Sequence, residues 1–538
     1  TTELVTTYKV ENLPTGERRM TNAGCCGGPI VSVVSPDGTT TITHPDGTVV
    51  TTIQGPDPRF GMQAPIVAKM TVKTPSGLVY EQEAYRYAEL VEAGNPLSLV
   101  NLSDYTTING RTYATIYDAS TRRITTTTPE GRESFTYLDE KGRVVRTEVP
   151  GLAPVSFEYD GRGRLVTITE GEGLEARMSR LEYNAQGYLE RITDTLTRTT
   201  NFEYDAAGRV SAQIRPDGTR IPFTYDANGN VTSITPPGKP AHTFTYTPVD
   251  LEETYNPPPV VGGGMNQIRY DYNLNRQVIQ ITRPDGQTIG FAYDTMGRLV
   301  TVSTPEGESG YVYDATSGNL TDIIAVDGGA LSYTYDGFLL TKVSWAGSIV
   351  GSVGYGYDND LRLTSLKVNG ANEVMYEYDG DGLLTRAGRL TLAYDPQNGL
   401  LTGTALEGVT DSYAYNEFGE VTDYVAEYNG MELYRVHLEY DKLGRITSKT
   451  ETVAGETHTY VYGYDATGRL TDVIKDGVLV SHYDYDDNGN RLAHTTPAGA
   501  VYGNYDDQDR MLFSGDATYE YTADGELLRK SDAEGTTH

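Results

Sequence analysis

Leu, Ile and Val stand singly or in pairs between polar residues along most of the chain, and seldom recur at the spacing that would build one apolar helix face. What recurs is a longer frame: an aromatic residue, any residue, Tyr, Asp or Asn, two residues, Gly, often Arg or Asn, then an aliphatic. Phe157, Tyr159, Asp160, Gly163, Arg164 and Leu165 form one copy, and Phe202, Tyr204, Asp205, Gly208, Arg209 and Val210 another. The frame returns at Phe291, Tyr293, Asp294, Gly297, Arg298 and Leu299, and at Tyr462, Tyr464, Asp465, Gly468, Arg469 and Leu470. Between Tyr137 and Tyr521 there are 19 such anchor tyrosines at a mean period near 21 residues. A second punctuation falls between anchors, as Pro129-Glu130-Gly131, Pro216-Asp217-Gly218, Pro236-Pro237-Gly238, Pro284-Asp285-Gly286 and Pro305-Glu306-Gly307. Pro presets φ for a turn and Gly supplies positive φ, so each unit holds two turns separated by one strand length. Every repeat is therefore a β-hairpin, and consecutive hairpins pair edge to edge.

Aromatic residues two apart, such as Phe135 with Tyr137 or Tyr333 with Tyr335, share a strand face, which predicts a ladder of stacked rings from unit to unit. The aliphatics after the turn are usually three apart, as Leu165 and Ile168 or Leu299 and Val302. A regular strand would put these on opposite faces, so a β-bulge that restores one face is expected. Residues 1–110 form a β-rich region of irregular units, with Val79 to Gly94 the one plausible short helix, although its alternation also fits a strand. Residues 111–538 form the regular array, interrupted at about 247–268 by a Pro- and Gly-rich loop that holds Pro257, Pro258, Pro259, Gly262, Gly263 and Gly264.

Composition fits this all-β reading: 42 Tyr, 59 Gly and 25 Pro beside one Trp. The net charge of −31 argues against nucleic acid and anionic membrane as partners, since both require a positive surface. No apolar run reaches the roughly 20 residues of a membrane-spanning helix. There is no signal-peptide pattern at Thr1, but the chain starts without Met, so this says little about destination. Cys25 and Cys26 are adjacent and cannot staple distant parts of a fold; two small turn residues are the simpler reading, a vicinal disulfide or reactive pair the alternative.

Tyr-Asp-x-x-Gly-Arg-Leu followed by Pro-Asp-Gly at this period resembles the YD repeat of the RHS family, over roughly residues 111 to 538. Its members include bacterial polymorphic toxins, the B and C components of insecticidal toxin complexes, and teneurins. The resemblance implies a long antiparallel sheet that spirals into a hollow shell or scroll. It also implies a structural role, in which a shell encloses a polypeptide cargo such as a C-terminal toxin domain, with secretion or display at the cell surface. The alternative is a surface adhesion or carbohydrate-binding module whose exposed Tyr rows stack on sugar rings, with a surface protein or glycan as partner. Bacterial members usually end in a core segment that plugs the shell and cleaves off the toxin; nothing after Tyr521 matches it, so no cleavage residues are assigned. About 38 strands at roughly 4.8 Å each would give a ribbon about 180 Å long, about one lap of a shell near 60 Å across. By that estimate the chain is part of a container.

Candidate chemistry is thin. The repeat anchors Tyr159, Asp160, Gly163, Tyr204, Asp205, Gly208, Tyr293, Asp294, Gly297, Tyr464, Asp465 and Gly468 read as structural, each Asp forming an Asx turn with its own backbone. The Arg of each turn, as Arg164 or Arg298, reads as a packing and hydrogen-bonding residue. Asp484, Asp486, Asn488 and Gly489 imitate the start of an EF-hand, but position twelve is Thr495. The seven His have no metal-ligand spacing. Asn101, Asn230 and Asn319 fit the glycosylation sequon. No catalytic residue, metal or cofactor is expected, and no enzymatic activity.

Overall fold

The computed structural model describes residues 5–24, 27–260, 266–533 and 535–537; Cys25, Cys26 and Gly262 to Gly264 lie outside the described residues. The fold is all-β, with 49 strands and one short 3-10 turn, Gly173–Glu175, and no α-helix among the described residues. The chain divides into two compact units, each built from two separated stretches. One joins Thr1–Leu152 to Gly290–Glu407, the other Ala153–Ile289 to Gly408–His538. This division by compactness differs in kind from the division by repeat regularity at residue 110.

Within each unit, strands pair antiparallel with their neighbours in sequence. Val155–Tyr159 pairs with Leu165–Glu170, that strand with Arg177–Tyr183, and that with Leu189–Thr193. In the other unit Ala330–Asp336, Leu339–Ala346, Gly351–Tyr357 and Leu363–Val368 follow one another in the same way. The turn chemistry explains the regularity. Gly163 N–H donates to the Asp160 carbonyl and Asp160 N–H to the Arg164 carbonyl, both at 2.9 Å. Gly163, Gly208, Gly297 and Gly468 all sit at positive φ, 84°, 80°, 80° and 96°. A tight turn ending in a left-handed residue is the standard three-residue hairpin loop, and Gly is the residue that enters it without strain.

The expected bulge is present. Glu158 faces Thr167 while Tyr159 faces Leu165, so one extra residue, Val166, is absorbed there. Ile168 therefore faces Phe157 and Leu165 faces Tyr159, which puts both aliphatics on the aromatic face. The same shift precedes Tyr204, Tyr293 and Tyr464.

Two irregular regions resolve differently from a helix or a simple loop. Val79–Leu90 is a strand of 12 residues paired on both sides, so the strand alternation prevails over the helical spacing. Its neighbours Gly61–Lys73 and Leu99–Ile108 have 13 and 10 residues, so the units lose their period because the strands are long. In the Pro- and Gly-rich stretch, Glu252–Asn256 is a strand that pairs with both His242–Tyr246 and Ile268–Tyr272, so the ladder passes through it. Pro258 is fully buried and its carbonyl accepts from Gln508 Nε2 at 2.7 Å.

The sheet is one layer thick. Among the described residues the buried apolar side chains are Ala212, Leu339, Val436 and Ala493, with Pro237 and Pro258. In both units the ribbon instead lies against itself, with side chains touching at sequence separations from 239 to 280 residues. In each unit an earlier course, residues 1–152 or 153–289, thus lies against a later one, residues 290–407 or 408–538.

Not every turn has glycine at the left-handed position. Leu361 stands there at φ 62°, whereas Gly229 has φ 98° and open space where a Cβ would go. Leu361→Gly is expected to stabilise the protein by about 1 kcal/mol and Gly229→Ala to destabilise it by about 1–2 kcal/mol, from backbone strain alone. Thermal denaturation of the two variants against the parent checks the opposite signs.

Candidate functional site

The repeat builds one local device many times over. In Asp160 one carboxylate oxygen accepts the backbone N–H of Arg162 at 2.8 Å and of Arg164 at 3.0 Å, and the other accepts Arg164 Nε at 2.8 Å. Asp205, Asp294 and Asp465 repeat the pattern with Arg209, Arg298 and Arg469. Burial alone would raise the Asp465 carboxyl, but the Arg469 backbone N–H and guanidinium, with the Thr467 hydroxyl, bring it down to about 2.

The clamped Arg then reaches the next unit. Arg164 lies 4.3 Å over the Tyr183 ring, Arg209 4.6 Å over Tyr225, Arg298 4.5 Å over Tyr313 and Arg445 4.4 Å over Tyr464. The covered Tyr returns a hydrogen bond to the residue after that Arg: Tyr183 Oη donates to the Leu165 carbonyl at 2.9 Å, Tyr225 to Val210 at 2.7 Å and Tyr464 to Ile446 at 2.6 Å. The expected ladder of rings is thus a ladder of alternating rings and guanidinium groups. Anchors lie two strands apart, about 9.5 Å, beyond the range at which rings stack, and Arg fills the gap. Where the Arg position holds Tyr188, that ring fills the same slot, 5.0 Å from Tyr204.

The second device is the seam between courses, where Pro- and Gly-type turns of the earlier course meet Tyr-Asp turns of the later one. In one unit Arg132 bonds Asp379 at 3.1 Å and also Asp381, while Glu130 N–H donates to Asp381 at 2.9 Å and Gly380 N–H to Glu130 at 2.8 Å. Arg111 pairs with Asp360 at 2.6 Å, and Ser76 N–H donates to Asp336 at 2.7 Å. In the other unit Arg177 bonds both carboxylate oxygens of Glu420, at 2.8 and 2.7 Å, and stacks 3.7 Å over Phe418. Lys239 donates to the Asp506 carbonyl at 2.6 Å, and Arg283 pairs with Asp524. In all these ion pairs the cation belongs to the earlier course and the carboxylate to the later. The seam was not expected from the sequence; its trace is the Arg or Lys flanking a turn, as Arg132 after Gly131 and Arg283 before Pro284.

Other candidates fall into structural places. Asp486 accepts the N–H groups of Asn488, Gly489 and Asn490 within an ordinary repeat turn. His437 and His482 pair with Asp423 at 3.0 Å and Asp472 at 2.8 Å. Among the described residues no group of three or more His, Cys, Asp or Glu could hold a metal ion. The amide groups of Asn230 and Asn319 bond Asp226 and the Gly337 carbonyl. A shallow cavity of about 480 Å³ on the second seam is lined by Glu175, Arg177, Phe418, His437 and Lys442. Among the described residues no helix is long and apolar enough to cross a membrane.

Comparison with known proteins gives a consistent result. The family model of the Teneurin YD-shell matches residues 15–535. Teneurin-3 of Danio rerio is 24% identical over 427 residues, 71% of this chain and 14% of that protein. Double-stranded DNA deaminase toxin A of Burkholderia cenocepacia (strain H111) is 25% identical over 464 residues, 80% of this chain and 30% of that protein. The crystal structure of TcdB2-TccC3 aligns with a TM-score of 0.66 at 12% identity, over 97% of this chain and 38% of that one. That of TcdB2-TccC3-TEV aligns at 0.61 and 13%, over 90% and 29%. The chain thus spans about a seventh of that teneurin and under a third of the deaminase toxin.

The seam is expected to be acid-labile. Burial would raise Asp381, Glu420 and Asp524, yet their hydrogen bonds to Glu130 N–H, Arg177 and Arg283 hold all three below the ordinary carboxylate range. Depressed carboxylates contribute stability above their unfolded values, about pH 4, which disappears as pH falls through the lower folded values. Hydrogen exchange should show the Ser76 and Glu130 amides losing protection below about pH 4 before mid-strand amides of Thr199–Tyr204 do. Equal protection of both sets down to global unfolding would contradict the assignment.

Proposed function

The chain belongs to the Teneurin YD-shell family, and from that premise we propose that it is a wall segment of a shell that encloses a polypeptide, such as a toxin or effector domain, for secretion and delivery. The observation that supports this most is the absence of an interior. With only six buried apolar side chains among the described residues, both faces of the sheet are boundaries, and the cohesive contacts run along the ribbon and across its seams. Such a body encloses a volume as masonry does, by courses. In this reading Tyr159, Asp160, Gly163 and the matching residues at 204–208, 293–297 and 464–468 are structural anchors with no catalytic part, and the protein acts outside the cell or at its surface. The surplus of acidic residues keeps a large exposed sheet soluble and would favour a basic cargo.

A second reading, an adhesion or glycan-binding surface, has one observation in its favour. Repeat anchors such as Tyr183, Tyr225 and Tyr464 are covered by Arg, but Tyr85, Tyr87 and Tyr105 are exposed.

Limited proteolysis of the complete gene product is expected to leave a cargo segment intact under native conditions and to digest it once the seam is opened with acid. A cargo segment cut as fast in the native protein as in the opened one would overturn the enclosing role.

A further inference from the structure

In the long-stranded N-terminal region, three tyrosines lie on one sheet face outside the repeat ladder. Tyr85 and Tyr87 alternate along Val79–Leu90, and Tyr105 on Leu99–Ile108 is the direct cross-strand partner of Tyr85. Residues two apart share a face, and cross-strand partners stand about 5 Å apart at Cα, so the three side chains rise from one patch of the sheet. They are 66%, 53% and 37% exposed. None of their hydroxyls has a hydrogen-bond partner among the described residues, in contrast to Tyr183 or Tyr464, whose hydroxyls bond a carbonyl and whose rings carry an Arg. Between them the face dips, because the partners of Tyr87 and Tyr105 on the adjoining strands are the small residues Ser103 and Ala114.

The surround selects the class of ligand. At one end Glu83 is paired with Lys69 at 2.9 Å, and the Thr107 and Thr112 hydroxyls bond each other at 2.9 Å. At the other end Glu89 accepts from the Asn101 amide at 3.0 Å and Asp118 accepts from Ser120 N–H at 2.8 Å. Glu83 shares Lys69 with Glu81, while Glu89 and Asp118 are held by neutral donors and keep their negative charge, so the rim disfavours an anionic ligand. What remains is an aromatic floor with phenol, hydroxyl and amide groups around it. That combination suits a ring with an apolar C–H face and a polar edge. The opposite face offers no rival site, since Arg86 is bound there to Asp104 at 2.5 Å and to the buried Asp57 at 3.1 Å, which holds these strands in register.

We propose that Tyr85, Tyr87 and Tyr105 form a platform that binds an uncharged polysaccharide, one sugar ring against the Tyr85–Tyr105 pair and a neighbouring ring against Tyr87. The proposal rests on the second functional reading and is independent of enclosure, so proteolytic protection of a cargo bears on neither its success nor its failure.

The test is sedimentation of the 538-residue chain with microcrystalline cellulose and with chitin, and titration with soluble laminarin. Heparin and poly-lysine serve as charged probes. Binding to at least one neutral polysaccharide is expected, with loss of tenfold or more in Tyr85→Ala/Tyr105→Ala and retention within about threefold in Tyr85→Phe/Tyr105→Phe, since stacking carries most of the contact. Tyr428→Ala, at an exposed Tyr in the other unit, should bind as the parent does. Should the double Ala variant unfold, protection of Tyr85 and Tyr105 from nitration by saturating laminarin gives the same reading in the parent protein. The idea fails if no neutral polysaccharide binds, if binding is to heparin or poly-lysine alone, or if the double Ala variant binds undiminished.

Discussion

Everything in this molecule depends on a carboxylate that organises its own turn and, through a clamped arginine, the next one. A sheet one layer thick has no second layer to press against, so the usual source of cohesion, burial of one apolar face on another, is small here. Order has to come from contacts in the plane of the sheet. Asp160 and its equivalents supply it by fixing the loop, aiming the Arg across the gap and leaving the carbonyl beyond it for the next Tyr hydroxyl. Where the Arg is present, a hairpin is thereby tied to its successor by a charge-assisted clamp, a ring contact and a hydrogen bond besides the backbone ladder. This is the arrangement of a linear repeat protein, in which a unit is stabilised chiefly by its neighbours.

Much of the fold was legible because the repeat carries its geometry in residue types. Tyr159, Asp160 and Gly163 mark a turn, and the three-residue spacing of Leu165 and Ile168 betrayed the bulge. The partner of each ring was less legible. Alternation shows which side chains share a face but not the distance to the next unit, and only that distance makes Arg164 necessary between Tyr159 and Tyr183. Val79–Leu90 was ambiguous because Tyr80, Glu83 and Tyr87 are spaced as on one helix face while Glu83, Tyr87 and Glu89 are spaced as on one strand face, and pairing with neighbouring strands decided it. The seam lay beyond reach for another reason. Arg177 and Glu420 stand 243 residues apart, and no local pattern says which turn meets which.

The two sets of tyrosines also divide the labour. Those in the repeat are half-covered and bonded, parts of the wall itself. Those on Val79–Leu90 and Leu99–Ile108 occur where the strands lengthen and the repeat lapses, so no Arg stands over them. A surface that binds something external has to be freed from the contacts that build the sheet, and the irregular region is where that freedom exists.

The seam has a further consequence for how such a chain can change in evolution. A hairpin gained or lost between two stitched turns shifts one partner past the other by one unit, so that a change between residues 177 and 379 would bring Arg132 to a turn other than the one bearing Asp379 and Asp381, and Arg177 to one without Glu420. A free-standing ribbon would tolerate any number of repeats; a ribbon stitched to itself must keep count. Insertions should therefore survive at hairpin tips that face no other course, while the number of hairpins between stitched turns is inherited as a fixed quantity.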